Sequence, residues 1–195
     1  MYICVYGASS KTLAAPFIEA GERLGECLAE RGHTLVFGAG NAGFMGATAR
    51  GASRKGGKII GVVPSFFNVD GVLFADCDRL IRTDTMRERK GILEKISDAF
   101  VVAPGGFGTY DELFEILTLK QLDRHNKAVV IYNVNGFYDK LLAFFKEGVA
   151  NGIMKEKATR IFAVCNTPEE VFDAIEHYNP EAIPLSDMKD VDILN

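Results

Sequence analysis

Short β-branched and aromatic runs alternate with amphipathic segments along the whole chain, and few folds accommodate that rhythm. The runs predict strands over Tyr2–Tyr6, Thr34–Phe37, Lys58–Val63, Arg79–Arg82, Ala99–Ala103, Lys127–Tyr132 and Arg160–Cys165. Helical periodicity covers Pro16–Glu30, Gly43–Arg54, Met86–Ser97, Thr109–Leu122, Phe137–Asn151 and Pro168–His177. Runs such as AFVVA and KAVVIY are apolar almost throughout, which suits strands covered by helices on both faces. The expected class is therefore α/β, with a doubly wound, mostly parallel sheet of about seven strands. No repeat or Pro/Ser-rich linker interrupts the pattern, so one domain over 1–179 is expected, followed by a loosely packed tail over 180–195.

Composition narrows the function. A net charge of −4 without a basic run removes the electrostatic attraction that nucleic-acid binding relies on, so no nucleic-acid partner is expected. No apolar stretch approaches the roughly 18 residues of a membrane span. MYICVYGASS lacks a basic region and reads as a core strand rather than a signal peptide, which makes a cytoplasmic protein the expectation. Cys4, Cys27, Cys77 and Cys165 are widely spaced and read as reduced packing thiols. His33, His125 and His177 lack ligand spacing, so no metal site is expected.

In a sheet of this kind ligands bind beyond the carboxyl ends of the strands. Four loops qualify: Gly7–Lys11, Gly38–Gly46, Pro64–Asp70 and Pro104–Thr109. Gly38-Ala39-Gly40-Asn41-Ala42-Gly43 fits G-x-G-x-x-G, but Ala47–Val69 contains no acidic residue to hold a dinucleotide's ribose. Its glycines then serve tight turning and helix–sheet packing, with Asn41 left as a ligand contact. Pro104-Gly105-Gly106-Phe107-Gly108-Thr109 follows the most apolar strand and launches a helix, which makes it a seat for an anion. No G-K-[ST] follows, so it is not a triphosphate-binding Walker loop.

Two helices carry the candidate chemistry. Thr109-Tyr110-Asp111-Glu112 matches a capping box, with Thr109 as N-cap and Glu112 reaching back to it. The apolar face of Tyr110, Leu113, Phe114, Ile116 and Leu117 centres roughly 140° away from Glu112, so it is not a core residue and faces either solvent or the crevice. In the helix from Met86, Arg89 falls on the apolar face of Met86, Ile92, Leu93 and Ile96. A guanidinium there, near a helix N-terminus, opposes both burial and the macrodipole and needs an anion. That anion is either a structural carboxylate or, in the crevice, Glu112 or a ligand phosphate. Lys90 flanks the same face, as added charge or as a solvated side chain.

Met86-Arg87-Glu88-Arg89-Lys90 and Pro104-Gly105-Gly106-Phe107-Gly108-Thr109-Tyr110-Asp111-Glu112 together resemble the M-x-x-R-K and P-G-G-x-G-T-x-x-E motifs of the LOG ("lonely guy") family. The likeness extends from Tyr6-Gly7-Ala8-Ser9-Ser10 to Asn133-Val134-Asn135-Gly136-Phe137-Tyr138. It implies a Rossmann-like fold and a phosphoribohydrolase acting on cytokinin riboside 5′-monophosphates or AMP. Arg89 and Glu112 then match the catalytic pair, while Lys90, Gly105, Gly106, Phe107, Gly108, Thr109, Tyr110, Asp111 and Thr118, with Ser9 and Asn41, match substrate-binding positions. A homodimer is also implied, and no cofactor. Ala39 departs from the family, where many members have a third glycine, and Pro64–Asp70 lacks a Glu that some relatives place there.

The resemblance also brings an older label, lysine decarboxylase. Such chemistry needs pyridoxal phosphate on a lysine, and no lysine is singled out; Lys127 opens a strand beside a surface turn. The rival reading is a nucleotide or molybdenum-cofactor carrier of similar architecture. Cleavage of an N-glycosidic bond passes through a cation-like sugar and needs a carboxylate near the anomeric carbon. Arg89 and the helix N-terminus are expected to pull the Glu112 carboxyl below its usual range and keep it ionised.

Overall fold

A computed structural model describes residues 1–67 and 71–180. The tail from 181 and the end of the Pro64–Asp70 loop lie outside the described residues. Among those described, the strands are β1 (Tyr2–Tyr6), β2 (Thr34–Phe37), β3 (Ile59–Pro64), β4 (Arg79–Thr83), β5 (Ala99–Val102), β6 (Ala128–Tyr132) and β7 (Ala163–Cys165). The helices are α1 (Ala15–Glu30), α2 (Gly43–Arg54), α3 (Met86–Ile96), α4 (Phe107–Gln121), α5 (Asp139–Ala150) and α6 (Pro168–Glu176). The strands form one parallel sheet in the order β4-β3-β2-β1-β5-β6-β7. The fold is a single α/β domain of Rossmann-like form, as the alternation predicts.

Strand alternation sorts the side chains into two cores. Ile3 and Val5 point to a layer closed by Leu24 and Leu28 of α1, Phe44 of α2 and Phe172 of α6. Cys4 and Tyr6 point to the opposite layer, closed by Leu93 of α3, Leu113 and Ile116 of α4, and Tyr138 before α5. The four cysteines are free thiols, and burial pushes Cys4 up to about 12.

Two expected elements need correction. The last strand is only Ala163–Cys165, because Glu156–Arg160 winds into a short 3₁₀ helix. More consequentially, α4 starts at Phe107, two residues before the expected Thr109, with Gly106 in extended backbone as its N-cap. Thr109 and Glu112 therefore both lie inside the helix and form no capping box. A true capping box occurs at α6, between Thr167 and Glu170.

The strand order places the site. From β1 the chain steps outward through β2, β3 and β4, then returns to lay β5 against the other side of β1. The loops after β1 and β5 thus part in opposite directions, opening a crevice at the switch point. A backbone hydrogen bond from Ala8 to the Pro104 carbonyl, at 2.9 Å, holds the two loops together.

Candidate active site

The crevice is a cavity of about 510 Å³ at the carboxyl ends of β1, β2, β3 and β5, within the range that holds small ligands. Its lining includes the polar residues Ser9, Ser10, Arg89, Thr109, Asp111 and Glu112. Apolar side chains, among them Met45, Val63, Phe67, Val72, Leu73, Met86 and Phe107, complete it.

Helix α3 delivers Arg89. Thr85 caps the helix by accepting from the Glu88 N–H at 3.1 Å, and Glu88 accepts from the Asp84 N–H at 2.8 Å. One turn in, Arg89 is 8% exposed; its Nε donates to the Val62 carbonyl at 3.2 Å and its Nη1 to Glu112 Oε1 at 2.8 Å. The guanidinium bridges the end of β3 and helix α4. That contact resolves its alternatives: the anion it meets is Glu112, in the wall of the cavity.

Helix α4 delivers Glu112 and the glycine turn. No side chain caps its N-terminus, and Gly106, Phe107, Gly108 and Thr109 line the cavity, so the first amides of the helix are free to meet an anion there. Gly105 permits this turn, since a Cβ on it would overlap the Thr109 hydroxyl. Glu112 is 7% exposed, and burial pushes its carboxyl above the usual range against the opposing pull of Arg89. This reverses the expected direction, because desolvation outweighs the single guanidinium. The apolar face of α4 also differs from expectation: Phe114 is 43% exposed, while Thr109, Glu112, Leu113, Ile116, Leu117 and Lys120 are buried. With Arg89 as partner, Glu112 turns inward and the buried stripe rotates with it.

The remaining expected positions divide. Ser9 and Asp111 line the cavity. Lys90 stands beside it, with its ammonium 2.9 Å from both Asp111 and Glu115. Tyr110 packs edge-on against Tyr138 behind the wall. Asn41 is exposed and outside the cavity lining, its backbone tied to the Val72 carbonyl at 2.9 Å. Thr118 is exposed on α4 and also lies outside the lining. Val72 and Leu73 went unforeseen: they join the wall through a bridge between Gly40 and Leu73, a non-local pairing with no local signal. Ala39 is buried at φ 61°, a left-handed conformation that costs a non-glycine residue about 1–2 kcal/mol.

Among the described residues, no group of His, Cys, Asp and Glu is arranged to hold a metal ion. Among the described residues no lysine lines the cavity, so none of them offers an amine there for a pyridoxal phosphate Schiff base. The buried lysine, Lys120, is pulled down to about 8 by desolvation. It donates to the Lys127 carbonyl at 2.7 Å, just before the amino end of β6 and hence at the end of the strands opposite the cavity.

A Rossmann-like domain with an open helix N-terminus and an arginine–carboxylate pair at its switch point defines a class of proteins that bind small anionic ligands. Comparison with known proteins narrows the class. The family model described as "Possible lysine decarboxylase" matches residues 45–175. The cytokinin riboside 5′-monophosphate phosphoribohydrolase LOG of Oryza sativa subsp. japonica is 38% identical over 179 residues, 92% of this chain and 74% of that protein. The cytokinin riboside 5′-monophosphate phosphoribohydrolase LOG2 of Arabidopsis thaliana is 33% identical over 92% of this chain and 84% of its own length. The chain belongs to the LOG family. Its fold also matches a molybdenum cofactor binding protein from Rippkaea orientalis with a TM-score of 0.68, at 22% identity over 90% of this chain and 94% of that one. No helix among the described residues is long and apolar enough to cross a membrane.

Proposed function

We propose that the chain is a phosphoribohydrolase that cleaves the N-glycosidic bond of adenine-type nucleoside 5′-monophosphates, AMP or an N6-modified form, to free base and ribose 5-phosphate. The observation that carries this reading is the buried Arg89–Glu112 pair facing the cavity beside the open end of α4. The first amides of α4 hold the 5′-phosphate, and Lys90 offsets the charge of Asp111 and Glu115 beside it. Glu112 lies along the wall from that seat, where its carboxylate stabilises the cation-like sugar and takes a proton from the attacking water. Water oxygen bonds to the anomeric carbon as the bond to the base nitrogen breaks; the electron pair of that bond leaves with the base, which takes a proton from solvent, and Glu112 returns the water's proton to solvent. Burial makes Glu112 a stronger base than an exposed glutamate and improves proton acceptance. Arg89 fixes the carboxylate through one oxygen and leaves the other free for the reaction.

Incubation with AMP and chromatography for adenine tests the activity. Glu112→Gln is expected to lower adenine release at least 100-fold, on the order expected for loss of a general base, with AMP affinity by calorimetry changed only a few-fold. Undiminished release by that variant rejects the role of Glu112. AMP binding by the unaltered protein with no adenine formed would point instead to a carrier. Assembly as a homodimer follows from the family resemblance and is checked by light scattering.

A further inference from the structure

The guanidinium of Arg89 has a third neighbour besides Glu112 and the Val62 carbonyl. It is Gly38, the residue that follows β2. A Cβ on Gly38 would overlap Arg89 Nη2 and lie 3.2 Å from Cζ. The next nearest atom, Met45 Sδ, is at an ordinary 3.5 Å. Gly38 is absent from the positive-φ positions, so its backbone does not demand glycine. The one thing excluding a side chain there is the arginine.

We propose that Gly38 is a positioning residue: its missing side chain forms the slot that seats Arg89 against Glu112. The slot exists because three elements meet at one point. Strand β3 offers the Val62 carbonyl to Nε, α4 offers Glu112 to Nη1, and the turn after β2 leaves room for Nη2. A methyl group at 38 makes Nη2 give way, and because Nε and Nη1 of the same rigid guanidinium are held by Val62 and Glu112, that displacement weakens both hydrogen bonds and the counter-charge on buried Glu112. The catalytic consequence rests on the proposed phosphoribohydrolase reading; the packing consequence does not.

The test is a double-mutant cycle between Gly38→Ala and Arg89→Lys, since lysine keeps the charge but has no Nη2. In the unaltered background, Gly38→Ala is expected to lower the melting temperature by about 4 °C or more. It should also cut adenine release at least tenfold and move the acid limb of the pH–rate profile upward, because Glu112 loses its guanidinium. In the Arg89→Lys background the same change should leave the melting temperature unchanged or raise it by about 1–3 °C, as a glycine replaced without strain does. Arg89→Ala, which empties the slot entirely, should give the same reversal. An equal melting loss in all three backgrounds overturns the slot. A reversal in melting temperature with no adenine released from AMP by any form keeps the slot and rejects the hydrolase. Adenine release that falls in amplitude with no movement of the acid limb rejects positioning through Arg89.

Discussion

Glu112 and Glu22 each accept a hydrogen bond from an arginine at 2.8 Å, and the two pairs behave oppositely. Glu22 lies on α1 and faces Arg50 and Arg54 of α2, where its side chain stays 26% exposed and the arginines 38% and 49%. There the Arg54 hydrogen bond outweighs burial and pulls the carboxyl below its usual range. Glu112 and Arg89 are each only 9% exposed at the side chain, and burial wins instead. Distance is therefore a poor guide to what an ion pair does; loss of water decides. The exposed network ties two helices loosely, because solvent screens it and long side chains lose freedom on pairing. The buried pair is costly to desolvate and poor evidence for stability, yet it lies in the wall of the cavity.

The largest break in this comparison comes from Arg89→Ala. Removing one partner of a buried pair leaves the other uncompensated, so a loss of about 3–5 kcal/mol is expected in urea unfolding at neutral pH, together with loss of adenine release. Acid should partly relieve that loss, because a protonated Glu112 no longer needs a counter-charge.

A smaller effect separates the two carboxylates by the sign of their pH dependence. The folded chain holds a proton on Glu112 to higher pH than the unfolded chain does. Its stabilising contribution is full below the unfolded pKa and is lost as pH rises through the folded one. Glu22 has the reverse linkage: its contribution is present above the unfolded pKa and is lost as pH falls through the lower folded value. Unfolding free energies from pH 4 to pH 8 should therefore show the advantage of the unaltered protein over Glu112→Gln shrinking as pH rises. The advantage over Glu22→Gln should grow over the acid part of the same range. Parallel slopes for the two variants would remove the contrast.

The smallest effect is Glu22→Gln at neutral pH, expected to move the melting temperature by no more than about 2 °C and less in 0.5 M salt. A larger, salt-resistant loss would show that the α1–α2 network is better sheltered than its exposure indicates.

Arg89 was legible in the sequence because it breaks a pattern: a cation on the apolar face of a helix, near the end that repels it, needs a partner. Glu112 was legible only as a pair of alternatives, since Thr109-x-x-Glu112 has capping-box spacing and spacing cannot tell where a helix begins. Between solvent and crevice the wheel could not choose. The helical wheel weighs apolar character alone, whereas the inward turn of Glu112 depends on a guanidinium 23 residues away. Val72 and Leu73 carried no signal, because they enter the wall through a bridge to Gly40.

The alternation of apolar runs and amphipathic segments determined by itself the two helical layers, the parallel sheet and the loops able to hold a ligand, since each follows from side-chain period and local chain direction. Tertiary structure alone decided which loops converge, which way Glu112 titrates and why position 38 lacks a side chain. Those properties depend on strand order and on the exclusion of water, and both arise from contacts between residues far apart in the chain.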